Sequence, residues 1–342
     1  MLQDFDAVHK ALGQGRSHLL LGNGFSIACD PIFRYQNLYE VAIGEGLSSR
    51  AQEVFNYLGT NNFEGVLRLL DDAAKVSAIY AAPPACGEAM MADSAIVKNA
   101  LVNAVATSHL EHSGLVASDR KERALQFLTI FHNVFTTNYD LLTYWVIMSA
   151  DGYPPFQDGF RAPDDPDEPY VVFTERLGSS KGLYYLHGAL HLHLSGGELR
   201  KHTWCRTRVR ITDQIREGLA QQRYPLFVAE GSADRKLEQI QRHGYLWYSL
   251  DKLSRIKGPL VVYGHALGTS DTHIVDAIAY NRDLPTVFIG LFGSEDTTAN
   301  QATISVAKQM TTTRQEEIAR FNGRGIPLQV KFFQSETAKV WG

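Results

Sequence analysis

The chain has 342 residues, 44% hydrophobic and 20% charged, which is ordinary for a globular protein and long enough to bury a sizeable core. Its net charge of −4 leaves no basic footprint, so no nucleic-acid partner is expected. Cys29, Cys86 and Cys205 lie far apart with no CxxC pair, which excludes a disulfide framework and a four-cysteine zinc site.

The opening MLQDFDAVHKAL is amphipathic and carries acids, unlike a signal peptide. No apolar run approaches the ~20 residues of a membrane span. With so few cysteines, a reducing cytoplasm is the expected compartment, with no membrane partner. A helix is predicted over residues 3–13 and a first strand over His18 to Leu21. The strand runs into Gly22-Asn23-Gly24-Phe25-Ser26, a glycine turn before a short helix-compatible stretch. Glycines there serve a tight strand-to-helix turn or the close approach of a ligand. Free N–H groups at the start of the following helix would suit a pyrophosphate. By itself this pattern reads equally well as an ordinary strand-to-helix turn.

From about Leu38 to Ile130 the periodicity turns helical, with Val66, Leu67, Leu69 and Leu70 on one face and Ile96, Ala100, Leu101, Val105 and Leu110 on another. Ala82-Pro83-Pro84 breaks this block in two. Residues 38–130 therefore read as a helical insertion within one domain spanning 1–342. A second strand, Asn133 to Thr136, leads into Thr137-Asn138-Tyr139-Asp140 and an apolar helix from Leu141 to Met148. Residues 151–169, rich in Pro, Asp and Gly, read as a long loop. A third strand, Gly182 to Leu186, ends at His187-Gly188, and a polar hairpin is predicted from Leu190 to Trp204. Further strands are predicted at Pro225–Val228, Pro259–Tyr263, Val287–Gly290 and Leu328–Phe332, with helices from Ala233 through Leu253 and around 297–320. Strands alternating with helices predict a doubly wound, mostly parallel, Rossmann-like sheet.

The polar residues fall at the strand ends. Gly22, Asn138 with Asp140, His187, and Gly264-His265 each follow a predicted strand directly. In an open α/β sheet the ligand crevice lies outside the carboxyl ends of the strands, so these segments are expected to converge on one cleft. Each also has a plainer reading: Asn138-Tyr139-Asp140 as a helix cap, His187 as a satisfied core histidine. The triple His187, His191 and His193 lacks an acidic or cysteine partner nearby, so a solvated hairpin face is expected and no metal. The basic stretch Arg200, Lys201, Arg206, Arg208 and Arg210 reads as a strand edge blunted by charge, or as a partner patch. Lys236 follows Gly231 by five positions without a second glycine before it, which is not a phosphate loop.

Taken in order, these segments resemble the sirtuin fold, and especially the bacterial sirtuin-like NAD hydrolases associated with antiphage defence. The family's glycine turn is matched by Gly22-Asn23-Gly24-Phe25-Ser26, and its PxFR-like motif by Pro31-Ile32-Phe33-Arg34. Its TQNxD motif is matched by Thr136-Thr137-Asn138-Tyr139-Asp140, and its catalytic His-Gly by His187-Gly188. The later GTSL motif corresponds to Gly264-His265-Ala266-Leu267, since Gly268-Thr269-Ser270 comes too late after the strand. The chain departs from the family at Thr137, Asn23 and Ala266, and it lacks the paired cysteines of the deacetylase zinc module.

The resemblance implies an NAD glycohydrolase with NAD as substrate and no metal. Gly22, Asn23, Gly24, Phe25, Ser26, Phe33, Arg34, Thr136, Gly264 and His265 would bind the dinucleotide, with Gly24 bare so that phosphate can approach. Asn138 would orient water or the ribose hydroxyls, His187 would act as general base, and Asp140 would recognise the carboxamide or support the loop. As strand-end residues lining a cleft, Asn138 and His187 are expected to contribute little to stability. A homo-oligomer or a defence-system partner is the expected assembly. The alternatives are a module that senses NAD or ADP-ribose, or a zinc-independent deacylase or ADP-ribosyltransferase.

Overall fold

The computed structural model describes residues 2–33, 38–61, 63–80, 82–107, 109–175, 181–228 and 233–342. Its strands, in chain order, are β1 (His18–Leu21), β2 (Asn133–Thr136), β3 (Phe160–Arg161), β4 (Tyr170–Phe173), β5 (Gly182–Tyr185), β6 (Gly188–Ser195), β7 (Glu198–His202), β8 (Pro225–Phe227), β9 (Leu260–Tyr263), β10 (Thr286–Leu291) and β11 (Gln329–Gln334). Six of them form an all-parallel sheet in the order β11-β10-β9-β1-β2-β5, flanked by helices. Numbered by sequence among themselves, these strands run 3-2-1-4-5-6, the Rossmann order, whose switch point falls between β1 and β9. β1 and β9 are buried at every position, as parallel strands covered on both faces must be. That explains why Leu19-Leu20-Leu21 and Leu260-Val261-Val262 read as unbroken apolar runs.

Register aligns the strand ends. Leu21 pairs with Thr136 and with Tyr263, and Thr136 pairs with Tyr185. The expectation that Gly22, Asn138, His187 and Gly264 follow strands ending on one sheet edge is met.

The helical stretch before β2 runs from Leu38–Gly44 to Ser118–Thr129. Its long pair, Phe63–Ile79 and Pro84–Thr107, is separated at the predicted proline break, with Pro84 in a first-turn position that needs no N–H. The block is joined to the rest of the fold: Thr212 Oγ1 donates to the Glu111 carbonyl, and Leu141 N–H donates to His109 Nε2. Phe127 packs on Tyr263 of β9 and on Phe5 of the first helix, Phe5–Leu12.

A second sheet departs from the sequence-based expectation. β3-β4-β7-β6-β8 form a five-stranded antiparallel sheet, which takes Pro225–Phe227 out of the parallel one. Two of its strands start within or just after the predicted loop 151–169, where Pro and Asp obscured them. The predicted hairpin is present as β6 and β7, but it is no solvated edge: β7 is central, Lys201 is buried and ion-paired with Asp158, and Arg200 stacks on Tyr170 at 4.0 Å. His191 and His193 are buried as well, against Tyr144 and Tyr185 and against His202 respectively. Sequence alternation marked a shared face correctly but could not say that the face was covered.

The chain crosses between the two sheets at His187-Gly188. Gly188 adopts φ +76°, and a Cβ there would lie 2.1 Å from the Leu226 carbonyl oxygen. Gly264 adopts φ +67°, and its Cβ would meet Phe25 N at 2.6 Å. Alanine at Gly264 is expected to cost about 1–3 kcal/mol of backbone strain, before any clash. Urea unfolding of Gly264→Ala should show that loss; stability equal to wild type contradicts the packing described.

Candidate active site

The glycine turn is held by β9. Gly24 N–H donates to the Gly264 carbonyl at 2.8 Å, and Phe25 N–H donates to the Gly22 carbonyl at 3.0 Å. A Cβ on Gly22 would lie 2.5 Å from His265 Cα, and one on Gly24 would lie 2.6 Å from Gly264 Cα. The glycines are therefore required for backbone-to-backbone packing at the switch point. This corrects the expectation that Gly24 and Phe25 offer free N–H groups and that bulk at Gly24 acts on a ligand alone. Phe25 is fully buried on Trp341, whose indole N–H donates to the Phe25 carbonyl. Asn23 closes the loop by donating to the Phe33 carbonyl at 3.0 Å, and Phe33 sits edge-on to His109. Arg34 lies outside the described residues.

A buried polar network joins β1 to β2. Asn138 Nδ2 donates to the Gly22 carbonyl at 3.2 Å and to Ser26 Oγ at 3.0 Å. The carbonyl can only accept, which fixes the amide orientation. Ser26 Oγ donates to Asp140 Oδ2 at 2.7 Å, while Asp140 Oδ1 accepts from Leu142 N–H at the start of helix Leu142–Met148. Thr136 Oγ1 accepts from the Asn138 N–H and so shapes the turn. Burial raises the Asp140 pKa, opposed by His109, Ser26 and the Leu142 N–H. Both Asp140 oxygens are thus engaged in supporting the loop rather than offered to a carboxamide. His109 donates through Nδ1 to the Leu110 carbonyl and accepts at Nε2, a tautomer that holds it neutral.

One atom of this network has no protein partner. Asn138 is 2% exposed, and its Oδ1 is buried with no hydrogen-bond partner among the described residues. Buried acceptors are rarely left so, and such an atom suits a hydroxyl or water donor.

The second cluster forms where β5 and β9 end, although β2 and β1 lie between them in the sheet. His187 Nε2 lies 2.9 Å from His273 Nε2 and 3.9 Å from Asp271 Oδ1. Asp271 Oδ1 is 2.8 Å from Lys236 Nζ, and its Oδ2 is 3.5 Å from His265 Nε2. Leu267 N–H donates to His265 Nδ1, so neutral His265 carries its proton on Nε2, toward Asp271. Burial, and then His273, push His187 well below its usual pKa, so the ring is neutral near pH 7. Burial would raise Asp271, but His187, His265 and Lys236 hold it below the usual carboxylate value. The backbone pins this corner: the His187 carbonyl accepts from Val228 N–H, and Leu190 N–H donates to the Tyr139 carbonyl. Farther back, the fully buried Arg314 donates to the Ile278 and Ala279 carbonyls, closing the end of helix Thr272–Ala279 opposite His273.

Gly22, Ser26, Thr136, Asn138 and Asp140 are therefore brought together, as are His187 and His265, while Gly22 touches both groups. Asn138 and His187 are buried rather than lining an open surface, which corrects the expectation that they matter little to stability. Sequence reasoning missed His109, Lys236, Asp271 and His273. The signal for Asp271 and His273 was their place in the loop and helix start after β9; His109 and Lys236 carried none.

Residues 19–341 match the family described as a domain of unknown function, DUF4917. The chain belongs to this family. No curated protein matches it. The match covers both polar clusters of this DUF4917 chain, and it assigns them no activity.

The buried histidines set an acid limit on the DUF4917 fold. Burial lowers His273 from 6.5 to about 4, with Asp271 opposing the shift and Lys236 and His265 adding to it. Unfolded, His273 takes a proton near pH 6.5; folded, it resists until about pH 4. The unfolded state binds more protons in that window, so stability present above about pH 6.5 is lost as the pH falls toward 4. At about 1.4 kcal/mol per unit, His273 accounts for roughly 3 kcal/mol of the loss. Urea unfolding across this range should give a shallower pH slope for His273→Gln than for wild type. Equal slopes contradict the assignment.

Proposed function

We propose that this DUF4917 chain is an NAD glycohydrolase, cleaving NAD with water to nicotinamide, ADP-ribose and a proton. The observation that carries it is the unpartnered Asn138 Oδ1, an acceptor buried at the Rossmann switch-point edge where two chain-distant polar clusters meet. The sirtuin-like succession of motifs supports the choice of NAD as substrate. A purely sensing module would need neither an orphaned amide oxygen nor a neutral, proton-accepting His187, and the lack of paired cysteines counts against deacylation.

The C1′–N bond breaks with its electron pair leaving to the nicotinamide nitrogen, through an oxocarbenium-like transition state. Asn138 Oδ1 accepts from the attacking water or a ribose hydroxyl and so holds it near C1′. As the water oxygen bonds C1′, its proton passes to His187. In the tautomer whose Nε2–H donates to His273 Nε2, the His187 lone pair lies on Nδ1, and this is the form that serves as base. Asp271, held by Lys236 and His265, then stabilises the imidazolium through the shared cluster. Antiphage defence, a cytoplasmic setting and a homo-oligomeric or partner-bound state belong to the same proposal.

His187→Ala and Asn138→Ala should each lower nicotinamide release by about 10²–10⁴-fold, the usual worth of a positioned acid–base group. NAD binding, read by calorimetry, should survive in both. Asn138→Ala should also lose roughly 1–3 kcal/mol of stability, since it leaves the Gly22 carbonyl and Ser26 without its amide. Wild-type release from a folded His187→Ala protein contradicts the mechanism.

A further inference from the structure

His187 and His273 bring the same ring atom together. Their Nε2 atoms are 2.9 Å apart, and with an Asp271 carboxylate oxygen all three ligand atoms lie within 4.8 Å of one another. Two nitrogens bound to one zinc ion at about 2.0–2.1 Å, at angles between octahedral and tetrahedral, are themselves about 2.9–3.4 Å apart. The two rings are thus already spaced as adjacent ligands, and a turn of the Asp271 side chain, which is 16% exposed, would bring its oxygen in from 3.9 Å. Two neutral imidazoles and one carboxylate are a donor set that suits borderline divalent ions. His265 Nε2–H facing Asp271 Oδ2 supplies the outer contact that orients such a carboxylate.

We propose that His187, His273 and Asp271 form a binding site for a divalent transition-metal ion of the zinc class, and that the bound ion switches off His187 as a base. The second half rests on the role assigned to His187 above. The reason is proton bookkeeping on one ring. A neutral imidazole carries one proton, and a metal on Nε2 forces that proton onto Nδ1, where the lone pair that accepts from water would be. Lys236 is the built-in competitor, since its ammonium lies 2.8 Å from the same carboxylate oxygen and repels a second cation.

The test uses the full chain, freed of metal by a chelator and titrated with zinc chloride by calorimetry in the absence of NAD. One ion per chain is expected. His273→Gln and Asp271→Asn should each weaken binding by about 100-fold, at least what loss of an outer partner costs such sites. Lys236→Met should instead tighten it, a change of sign that general damage to the fold does not produce. Cobalt added in place of zinc should give a visible absorption band in wild type and none in His273→Gln. No saturable uptake by wild type, or unchanged affinity in both ligand variants, overturns the site. Zinc bound as expected by a protein whose metal-free form leaves NAD intact keeps the site and removes the NAD assignment. NAD cleavage unaffected by zinc at full occupancy keeps the site and overturns the switch.

Discussion

The contact that the candidate site depends on is made by backbone alone. The Gly22–Gly24 turn after β1 presses against Gly264 after β9 with no room for a Cβ on either side, and the Gly24 N–H to Gly264 carbonyl bond ties them. This closes the sheet's switch point at its floor. It also places the Gly22 carbonyl where Asn138 can reach it from β2, and sets His265 against the same turn. A side chain at either glycine would separate β1 and β9 before it could disturb any ligand, so the turn is structural first.

On that floor the two polar clusters divide the work. Asn138 donates to Ser26 and Ser26 donates to Asp140, a chain running in one direction that leaves Asn138 Oδ1 without a partner among the described residues. The other cluster is a neutral histidine flanked by a second histidine and a carboxylate, with Lys236 offsetting the carboxylate's charge. In the proposed reaction one cluster would hold the water oxygen and the other would take its proton. A hydrolysis needs both, and the fold brings them to one edge although their residues are dispersed between positions 22 and 273.

Most of the parallel sheet was legible because its inner strands β1, β2 and β9 and the neighbouring β5 are almost wholly buried and so appear as short apolar runs with a glycine or polar residue at the end. The convergence of Gly22, Asn138, His187 and Gly264 followed from topology alone. The antiparallel sheet was not legible in the same way. Phe160–Arg161 is too short to show a period, and Pro225–Phe227 looks like any other apolar run, since nothing in it says which sheet it joins. The burial of His191, His193 and Lys201 was hidden because a polar alternating strand reads as exposed until another layer is known to cover it. Lys236 and His109 escaped because their partners lie on distant chain segments, and pairing at a distance leaves no spacing to read, whereas Asp271 and His273 were marked only by following β9.

The most direct measurement incubates the purified full chain with NAD, alone and with candidate partner proteins, and quantifies the products by chromatography. The account predicts nicotinamide and ADP-ribose in equal amounts, formed at the expense of NAD. NAD that is bound by the protein yet recovered intact under every condition would contradict it.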